Sequence, residues 1–333
     1  MLQPVLRGVR IVEQGTFITG PCASMMLADL GADVIKIESP EGDPYRSYQE
    51  GHYSPHFQAY NRNKRSLVCD LKQQADRGIF DQLIADADVY LQNFRPGTAD
   101  RLGAGLERLH GINPKLVYCS ISGFGADGPY AERPSYDSVA QALSGFLSVV
   151  VDPERPRFMG PALADAITGI YAAYGILGAL FERTRTGHGR LVEVSMLEAM
   201  AHFAVEPFAA FFALGVVPKS SDRPRLAQAY ILRTADQRLL AIHLSSLEKF
   251  WQGLLTALAA AELDRDARFD TRLKRIEHYE ALGEELDRRF RQRPLAEWAA
   301  RLSANDVPFA PINGVDSVVE DPQARHLGLI VPV

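Results

Sequence analysis

An aspartate, Asp165, stands alone in an otherwise small and apolar stretch, GPALADAITGIYAAYG (160–175). Burying an unpaired carboxylate is costly, so this side chain must cap a helix, pair with another group or take part in chemistry. Aspartate is a favoured N-cap residue, which makes capping of the following helix one interpretation. The other is a nucleophilic carboxylate, which a helix N-terminus would keep ionised and reactive at neutral pH. The residues alone leave both open.

Two arginines, Arg95 and Arg101, flank a Pro-Gly turn in NFRPGTADRLG (93–103), where a predicted strand ends and a helix begins. Anions bind readily at such places, so the pair is a candidate anion site, with solvated surface arginines as the alternative. Cys22 also lies near a predicted helix start, which can lower the pKa of a thiol. Because no histidine is suitably placed in the local sequence, a thiol in the core is the favoured interpretation of Cys22.

The opening unit is a strand, a glycine-bearing loop, a helix and a second strand ending at Glu38, which is the layout of a dinucleotide-binding motif. Gly15 and Gly20 are five positions apart, however, and no GxGxxG is present. We therefore expect a Rossmann-like scaffold that binds a ligand other than a nicotinamide cofactor. The eight histidines include no HExxH and the three cysteines no CxxC, so neither a metal site nor a disulfide framework is predicted.

The 333 residues carry a formal net charge of -5, with no long run of one sign. This charge gives no electrostatic footprint for nucleic acid or for an anionic membrane surface, so neither is an expected partner. The N-terminus has no apolar segment after a basic start, which predicts a cytoplasmic protein without a secretory signal. One apolar segment, 196–217, has the length of a membrane span, but it contains Glu198, His202, Glu206 and Pro207 and is predicted to be a buried helix.

Strands and helices alternate through the first half of the chain. Such alternation predicts a mostly parallel sheet covered by helices. A long, central and buried helix is expected at 161–183, with Gly169, Gly175 and Gly178 allowing close helix packing. The predicted strands are VRIVEQ, ADVIKIE, DVYLQNF, KLVYCSISGFG and LVEVSM, and the helices between the first four are CASMMLADLG, DRGIFDQLIADA and TADRLGAGLERLHGIN.

The chain changes character at PKSSDRPR (218–225), a Pro-, Ser- and Arg-rich stretch that is predicted to be a linker. Before it, residues 1–217 are expected to form a large Rossmann-like domain. After it, residues 226–333 are expected to form a smaller α+β domain, with a hairpin that turns at Asp236 and Gln237 and several charged helices. The predicted fold class is therefore α/β, with a mostly parallel sheet and an appended α+β domain.

Taken together, the motifs resemble the class III CoA-transferases, the CaiB/BaiF family of formyl-CoA transferase and carnitine CoA-transferase. The matching segments follow the family's order over nearly the whole chain, which is far more specific than any single motif. They are LRGVRIVEQGTFITGP, LADLGADVIKIESPEGD, YNRNKRSLVCDLK, LQNFRPGTADRLG, SISGFGADGPYAERPSYDSVAQALSG, ALADAITGIYAAYGILGALFERTRTGHGR and VPFAPINGVDSVVEDPQ.

The resemblance implies roles for particular residues. In the family, an aspartate in a GxxxxD pattern before a small-residue helix is the nucleophile, and here that position is Asp165, after Gly160. Coenzyme A would be held by loops at strand ends and by basic residues that contact its phosphates. The implied CoA-binding residues are Ile18, Thr19, Leu71, Lys72, Asn93, Phe94, Arg95, Arg101 and Tyr136.

The resemblance also implies an activity, that of an acyl-CoA:carboxylate CoA-transferase moving CoA between small organic acids. The reaction would be ping-pong and would pass through a covalent aspartyl intermediate. An acyl-CoA thioester and small carboxylic acids would be its substrates, with no prosthetic group. Family members form dimers that interlock like chain links, so a homodimer is expected.

Two alternatives remain open. Racemase members of the family use a histidine as one of two acid/base groups where this chain has Tyr136, so an α-methylacyl-CoA racemase-like isomerase is the weaker enzymatic alternative. Family members also run some tens of residues further than this chain. The other alternative is therefore a CoA-binding protein made inactive by C-terminal shortening.

Overall fold

The computed structural model describes residues 3–48, 51–158, 160–245 and 247–331. The chain divides into two compact units, Met1–Pro218 and Lys219–Val333. Each unit has its own sheet and its own hydrophobic core.

A six-stranded sheet lies at the centre of the first unit. Its strands are β1 (Arg10–Gln14), β2 (Asp33–Glu38), β3 (Lys64–Val68), β4 (Val89–Gln92), β5 (Val117–Ser122) and β6 (Leu191–Ser195). They are arranged in the order β3-β2-β1-β4-β5-β6, and every neighbouring pair is parallel. This is the doubly wound arrangement, in which the strand order reverses between β1 and β4. The predicted α/β fold with a mostly parallel sheet is confirmed.

Helices connect the strands of this sheet, and two more follow its last strand. They are α1 (Thr19–Asp29), α2 (Pro55–Asn61), α3 (Gln74–Ala85), α4 (Thr98–Arg101), α5 (Leu106–Ile112), α6 (Asp137–Leu143), α7 (Leu163–Thr186), α8 (Met196–Phe203) and α9 (Val205–Leu214). Successive strand residues feed two separate cores: Ile11 of β1 lies in the core with α1 and α7, whereas Val12 lies in the core with α3 and α5. The helix expected at 98–113 is divided into α4 and α5, because Gly103 adopts a positive φ of 73° between them.

The edge strand β3 was not predicted. Its sequence KRSLV is mostly exposed and alternates poorly, and Lys64 and Arg65 pair with β2 at Val34 and Ile35. A charged, short strand is typical of a sheet edge, where it discourages further pairing, so hydrophobic periodicity gives little signal there.

The long helix α7 is confirmed, but it is buried on one face only. A Cβ at Gly169 would lie 2.8 Å from the Cβ of Cys22 on α1, and one at Gly175 would lie 2.7 Å from Val192 Cγ1. A Cβ at Gly178 would have no neighbour within 4 Å on another element among the described residues, so its predicted packing role is wrong. By length and composition α7 passes the test for a membrane span, as do α8 and α9 if counted as one bent span, but core helices of soluble proteins pass it too.

The helix expected within 196–217 is in fact two helices, bent by 67° at their junction. Ala204 between them leaves helical geometry, with φ -96° and ψ 34°. The proline ring at Pro207 disfavours a helical carbonyl four residues earlier, at Phe203, which accounts for the break. None of the α9 residues is buried, so the expectation of a buried helix is wrong for this half.

The second unit combines a small sheet with helices. Its elements are α10 (Asp222–Ala227), β7 (Ala229–Arg233), β8 (Leu239–His243), α11 (Leu247–Leu258), α12 (Arg272–Glu277), α13 (Tyr279–Phe290), α14 (Leu295–Ala304), β9 (Phe309–Pro311), α15 (Val315–Val318) and α16 (Pro322–His326). The antiparallel strands have the order β7-β8-β9. The hairpin turns at Asp236 and Gln237 as predicted, with Gln237 at φ 62°. Helix α10 occupies part of the stretch that was expected to be a linker, and β9 was not predicted.

Candidate active site

The carboxyl ends of β1 and β4 open a crevice where the strand order reverses, which is where open α/β sheets bind ligands. A cavity of 290 Å³ lies there. It is lined by the loops after β1 and β4, by the end of β5, by the segment before α6, and by Asp165 near the start of α7. Elements far apart in the sequence therefore meet at one site.

The structure brings most of the expected site residues into this cavity. Those that line it together with Asp165 are Ile18, Thr19, Asn93, Phe94, Arg95 and Tyr136. Leu71 and Lys72 line a second cavity of 330 Å³, which Phe94 also borders. Arg101 lines neither cavity; its guanidinium donates a hydrogen bond of 2.7 Å to Thr98 Oγ1 and is exposed. Phe94 thus separates a cavity holding the aspartate from a cavity holding Lys72.

Asn93 fixes the loop after β1 across the crevice. Its Oδ1 accepts a hydrogen bond from the Thr16 backbone N–H at 2.9 Å, and its Nδ2 donates to the Thr16 carbonyl at 2.9 Å and to Thr19 Oγ1 at 2.8 Å. The amide is therefore fully used by the protein. Asn93 is positioned to shape the cavity rather than to offer a free polar group to a ligand.

Asp43 also holds the loop after β1 in place. Its carboxylate accepts hydrogen bonds from the N–H groups of Phe17 at 3.2 Å and Tyr45 at 2.9 Å. Phe17 lines the cavity in a left-handed conformation, with φ 59°, which costs energy in a residue other than glycine. The Asp43 contact helps to hold this strained backbone in place.

A buried charge network lies next to this loop. It is formed by Glu13, Lys36, Asp43 and Lys64. Lys36 Nζ lies 2.9 Å from a carboxylate oxygen of Glu13, 2.9 Å from one of Asp43, and 2.7 Å from the Gly15 carbonyl oxygen. Lys64 Nζ lies 3.0 Å from the other Glu13 oxygen. Burial opposes ionisation of Glu13, but both lysines outweigh it and lower the Glu13 pKa. The sequence reading did not identify this network.

Asp165 is the third residue of α7 and does not cap it. The N-cap is Ala162, whose side chain cannot cap a helix. The N–H groups of the first turn that lack a partner within α7 are instead capped by a side chain of α6. Asp137 Oδ1 accepts from the N–H of Ala164 at 2.8 Å and that of Asp165 at 3.4 Å. The capping interpretation of Asp165 is therefore wrong, and its own carboxylate receives no hydrogen bond from any residue that the structure describes.

The sequence reading did not single out Asp137, although it stands next to Tyr136 in the quoted motif. Burial raises the pKa of Asp165 to about 7, and the negative charge of Asp137 acts in the same direction. These effects outweigh the helix N-terminus, so the expectation that the helix keeps Asp165 fully ionised is not met. Asp165 is poised to change charge near neutral pH.

Replacing Asp137 by asparagine is expected to shift the pH dependence of any reaction that needs the Asp165 carboxylate. The wild-type rate should rise with pH through about 7, because only the ionised form is nucleophilic. Asparagine keeps an oxygen for the Ala164 N–H but removes the charge, so the midpoint should move to lower pH. The check is the pH profile of CoA release from an acyl-CoA in rapid-mixing experiments, with Asp152→Asn, an exposed aspartate, as the control. An unchanged midpoint would rule out this electrostatic role.

Other chemistry finds little support at the site. Burial opposes ionisation of Glu38, but two hydrogen bonds of 2.7 Å from Arg46 help to lower its pKa to about 2, so the carboxylate is not free for a dinucleotide ribose. Burial raises the pKa of Cys22, which confirms it as a core thiol. His52 and His56 have HxxxH spacing, but His52 precedes α2, and the described residues contain no group of three or more metal-binding side chains.

Comparison with known proteins decides the family. The sequence profile of CoA-transferase family III matches residues 6–333. The chain belongs to CoA-transferase family III. This confirms both the family and the enzyme class that the motifs predicted, and it gives the cavity around Asp165 a chemical context.

Relatives and solved structures of this family cover nearly all of the chain. An acetyl-CoA:oxalate CoA-transferase of Acetobacter aceti is 34% identical, over 97% of this chain and 85% of that protein. A succinate–glutarate CoA-transferase of Agrobacterium fabrum is 32% identical, over 99% of this chain and 85% of its own length. The crystal structure of a CaiB/BaiF family protein from Brucella suis matches with a TM-score of 0.90 at 36% identity, over 99% of this chain and 89% of that one.

Proposed function

We propose that this family III CoA-transferase moves CoA between small carboxylic acids through a covalent intermediate on Asp165. The observation that carries the proposal is the place of that carboxylate. It is largely withdrawn from solvent, receives no hydrogen bond from the described residues, and lines the cavity at the reversal point of the sheet. A carboxylate without hydrogen-bond donors is a better nucleophile than a solvated one, because no donor has to be displaced.

The proposed reaction has two symmetrical halves. The Asp165 carboxylate attacks the thioester carbonyl of the donor, releasing CoA thiolate and leaving an aspartyl–acyl anhydride. The thiolate then attacks the aspartyl carbonyl, which frees the donor acid and forms an aspartyl-CoA thioester. An acceptor carboxylate attacks that thioester, which releases CoA thiolate and forms a second aspartyl–acyl anhydride. The thiolate then attacks the acceptor's carbonyl carbon, which gives the new acyl-CoA and releases the Asp165 carboxylate.

The proposed CoA site extends from this cavity to the one containing Lys72. Among the described residues, Lys72, Arg95 and Arg101 form no ion pair with a carboxylate, unlike Arg108, which pairs with Asp81. Unpaired cations are available for the several negative charges of CoA. Ile18, Thr19, Leu71, Asn93, Phe94 and Tyr136 would supply the remaining walls of the site.

Two further properties belong to the proposal. A homodimer would cover apolar side chains that the structure leaves exposed, including Phe211 and Phe212 of α9 and Tyr174 of α7. A cytoplasmic location fits the family and the three cysteines, which are free and buried.

The proposal is tested by intact-protein mass spectrometry after mixing with succinyl-CoA, acetyl-CoA or glutaryl-CoA, with borohydride trapping. We expect a covalent adduct on the wild-type protein, mapped by proteolysis to the peptide that contains Asp165. Isotope exchange between the acyl-CoA and its free acid should occur without a second acid, as a ping-pong route requires. Turnover without adduct and without exchange would rule out the covalent mechanism.

A further inference from the structure

The cavity that holds Asp165 contains a second cation besides Arg95. This residue, Arg133, belongs to the segment before α6 and was not among the expected site residues. The two arginines reach the cavity from different directions in the fold. Arg95, one of the cations proposed for CoA, follows β4 and also lines a neighbouring cavity of 260 Å³. Arg133 instead borders a cavity of 520 Å³ whose other lining residues are apolar.

The Arg133 side chain is held in place without having its charge neutralised. Its guanidinium lies over the Tyr130 ring, 4.4 Å from the ring centre, and its backbone N–H donates to the Tyr130 carbonyl at 2.9 Å. Among the described residues, no carboxylate forms an ion pair with it. Stacking uses the flat face of a guanidinium and leaves its in-plane N–H groups free, and these groups match a carboxylate in a two-pronged contact.

Arg133 does not act as the counter-ion of Asp165. The raised pKa of Asp165 is caused by burial and by Asp137, with no opposing contribution from either arginine. Both charged groups line the same cavity, and no ion pair joins them. A small acid whose reacting carboxyl group is at Asp165 would have its other end available to Arg133.

We propose that Arg133 binds the distal carboxylate of a short dicarboxylic acid, and that this contact makes the site selective for dicarboxylates over monocarboxylates. This inference rests on the proposed function of Asp165. The unreacted carboxylate of the substrate accepts hydrogen bonds from Arg133 while its other carboxyl group is transferred. A monocarboxylate of equal length would place a methyl group against the guanidinium and would form no hydrogen bond with it, so it would gain nothing from this contact.

The test is the half-reaction that forms the aspartyl-CoA thioester, because it needs no acceptor acid. Single-turnover rates are compared for glutaryl-CoA against pentanoyl-CoA and for succinyl-CoA against butanoyl-CoA. The wild-type protein is expected to favour the dicarboxylic ester of each pair. In Arg133→Gln that preference should fall about 10- to 100-fold, the value of one charge-assisted contact. Arg133→Lys keeps the charge but loses the pair of parallel N–H donors, so it should recover part of the preference for the dicarboxylic ester.

Arg95→Gln is the matched control, because it removes a cation from the other side of the same cavity. It should slow both esters of each pair alike and leave the preference intact. A wild-type protein that forms the thioester equally well from both esters, or an Arg133→Gln variant with an unaltered preference, would overturn this inference and leave the role of Asp165 standing. If no CoA ester forms a thioester on Asp165, the proposed function fails and this inference fails with it.

Discussion

The variant Asp165→Asn is expected to lose CoA transfer by about 10⁴-fold or more, which is the scale on which removal of a covalent nucleophile acts. An amide has no anionic oxygen to attack a thioester, and it cannot form the aspartyl anhydride or the aspartyl-CoA thioester. The variant should still bind CoA, because the unpaired cations and the loops after β1 and β4 are untouched. Turnover, adduct formation and CoA affinity by calorimetry are the three measurements.

Thermal stability separates this loss of activity from a loss of fold. The Asp165 carboxyl has an ordinary pKa of 3.8 but one of about 7 in the folded protein, so the folded state holds its proton more tightly than the unfolded state. Wild-type stability should therefore fall as the pH rises between these two values, and above them the folded protein carries the full penalty of a buried charge. Asparagine removes that penalty, so Asp165→Asn should be at least as stable as the wild type at pH about 8.

Asp86→Asn provides the matched control for the chemistry of the substitution. Asp86 is an exposed aspartate that follows α3, and its ion pair with Arg10 is exposed on both sides. Such pairs contribute little, so this variant should retain full transfer activity. Transfer by Asp165→Asn at the wild-type rate would contradict the mechanism, whereas equal losses in both variants would point to a general effect of the substitution.

The variant Lys36→Met is expected to destabilise the protein by about 3–5 kcal/mol, the usual result of breaking a buried ion pair from one side. The Lys36 side chain is 1% exposed, and its removal leaves the Glu13 and Asp43 carboxylates buried with only Lys64 to balance them. Urea unfolding at neutral pH gives the free energy of unfolding. Lys115→Met, at an exposed lysine of the same unit, is the control and should change it little.

A double variant tests whether the unpaired charge is the cause. Lys36→Met combined with Asp43→Asn restores the charge balance, because Glu13 then faces Lys64 alone, and the new amide at position 43 keeps an oxygen for the Phe17 N–H. The double variant should be more stable than Lys36→Met alone, which is a favourable coupling in a double-mutant cycle. Additive losses, or a Lys36→Met variant as stable as Lys115→Met, would refute the assigned role of the network.

The sequence determined the fold class and the family of this protein, because both depend on patterns that are local and repeated. Parallel strands that are buried on both faces have sequences of short apolar runs, and the helices between them are recognised by their hydrophobic period and by the residues at their ends. Elements without such a pattern were missed or misjudged. The edge strand Lys64–Val68 is charged and exposed, and the break at Ala204 depends on a proline three residues further along the chain.

The sequence also drew attention to Asp165, since a lone carboxylate in an apolar stretch needs an explanation, but it left two explanations open. Only the tertiary structure ruled out the capping interpretation, by bringing Asp137 from another helix to cap α7 in its place. Burial raises the pKa of Asp165, and the nearby charge of Asp137 acts in the same direction. Contacts of this kind join residues far apart in the chain, and their energies depend on distance and burial, which no local pattern encodes.

The environment of Glu13, Lys36, Asp43 and Arg133 was likewise decided by the tertiary structure. In the sequence they are ordinary charged residues, each as compatible with a solvated surface as with a site. The fold encloses Glu13, Lys36 and Asp43 in the buried charge network next to the loop after β1. It leaves Arg133, which lines the cavity of Asp165, as a cation without an ion pair to any residue that the structure describes. The local hydrophobic pattern of the sequence therefore determines which elements form. The interaction energies of charged side chains, in contrast, depend on how far the folded chain excludes water around them.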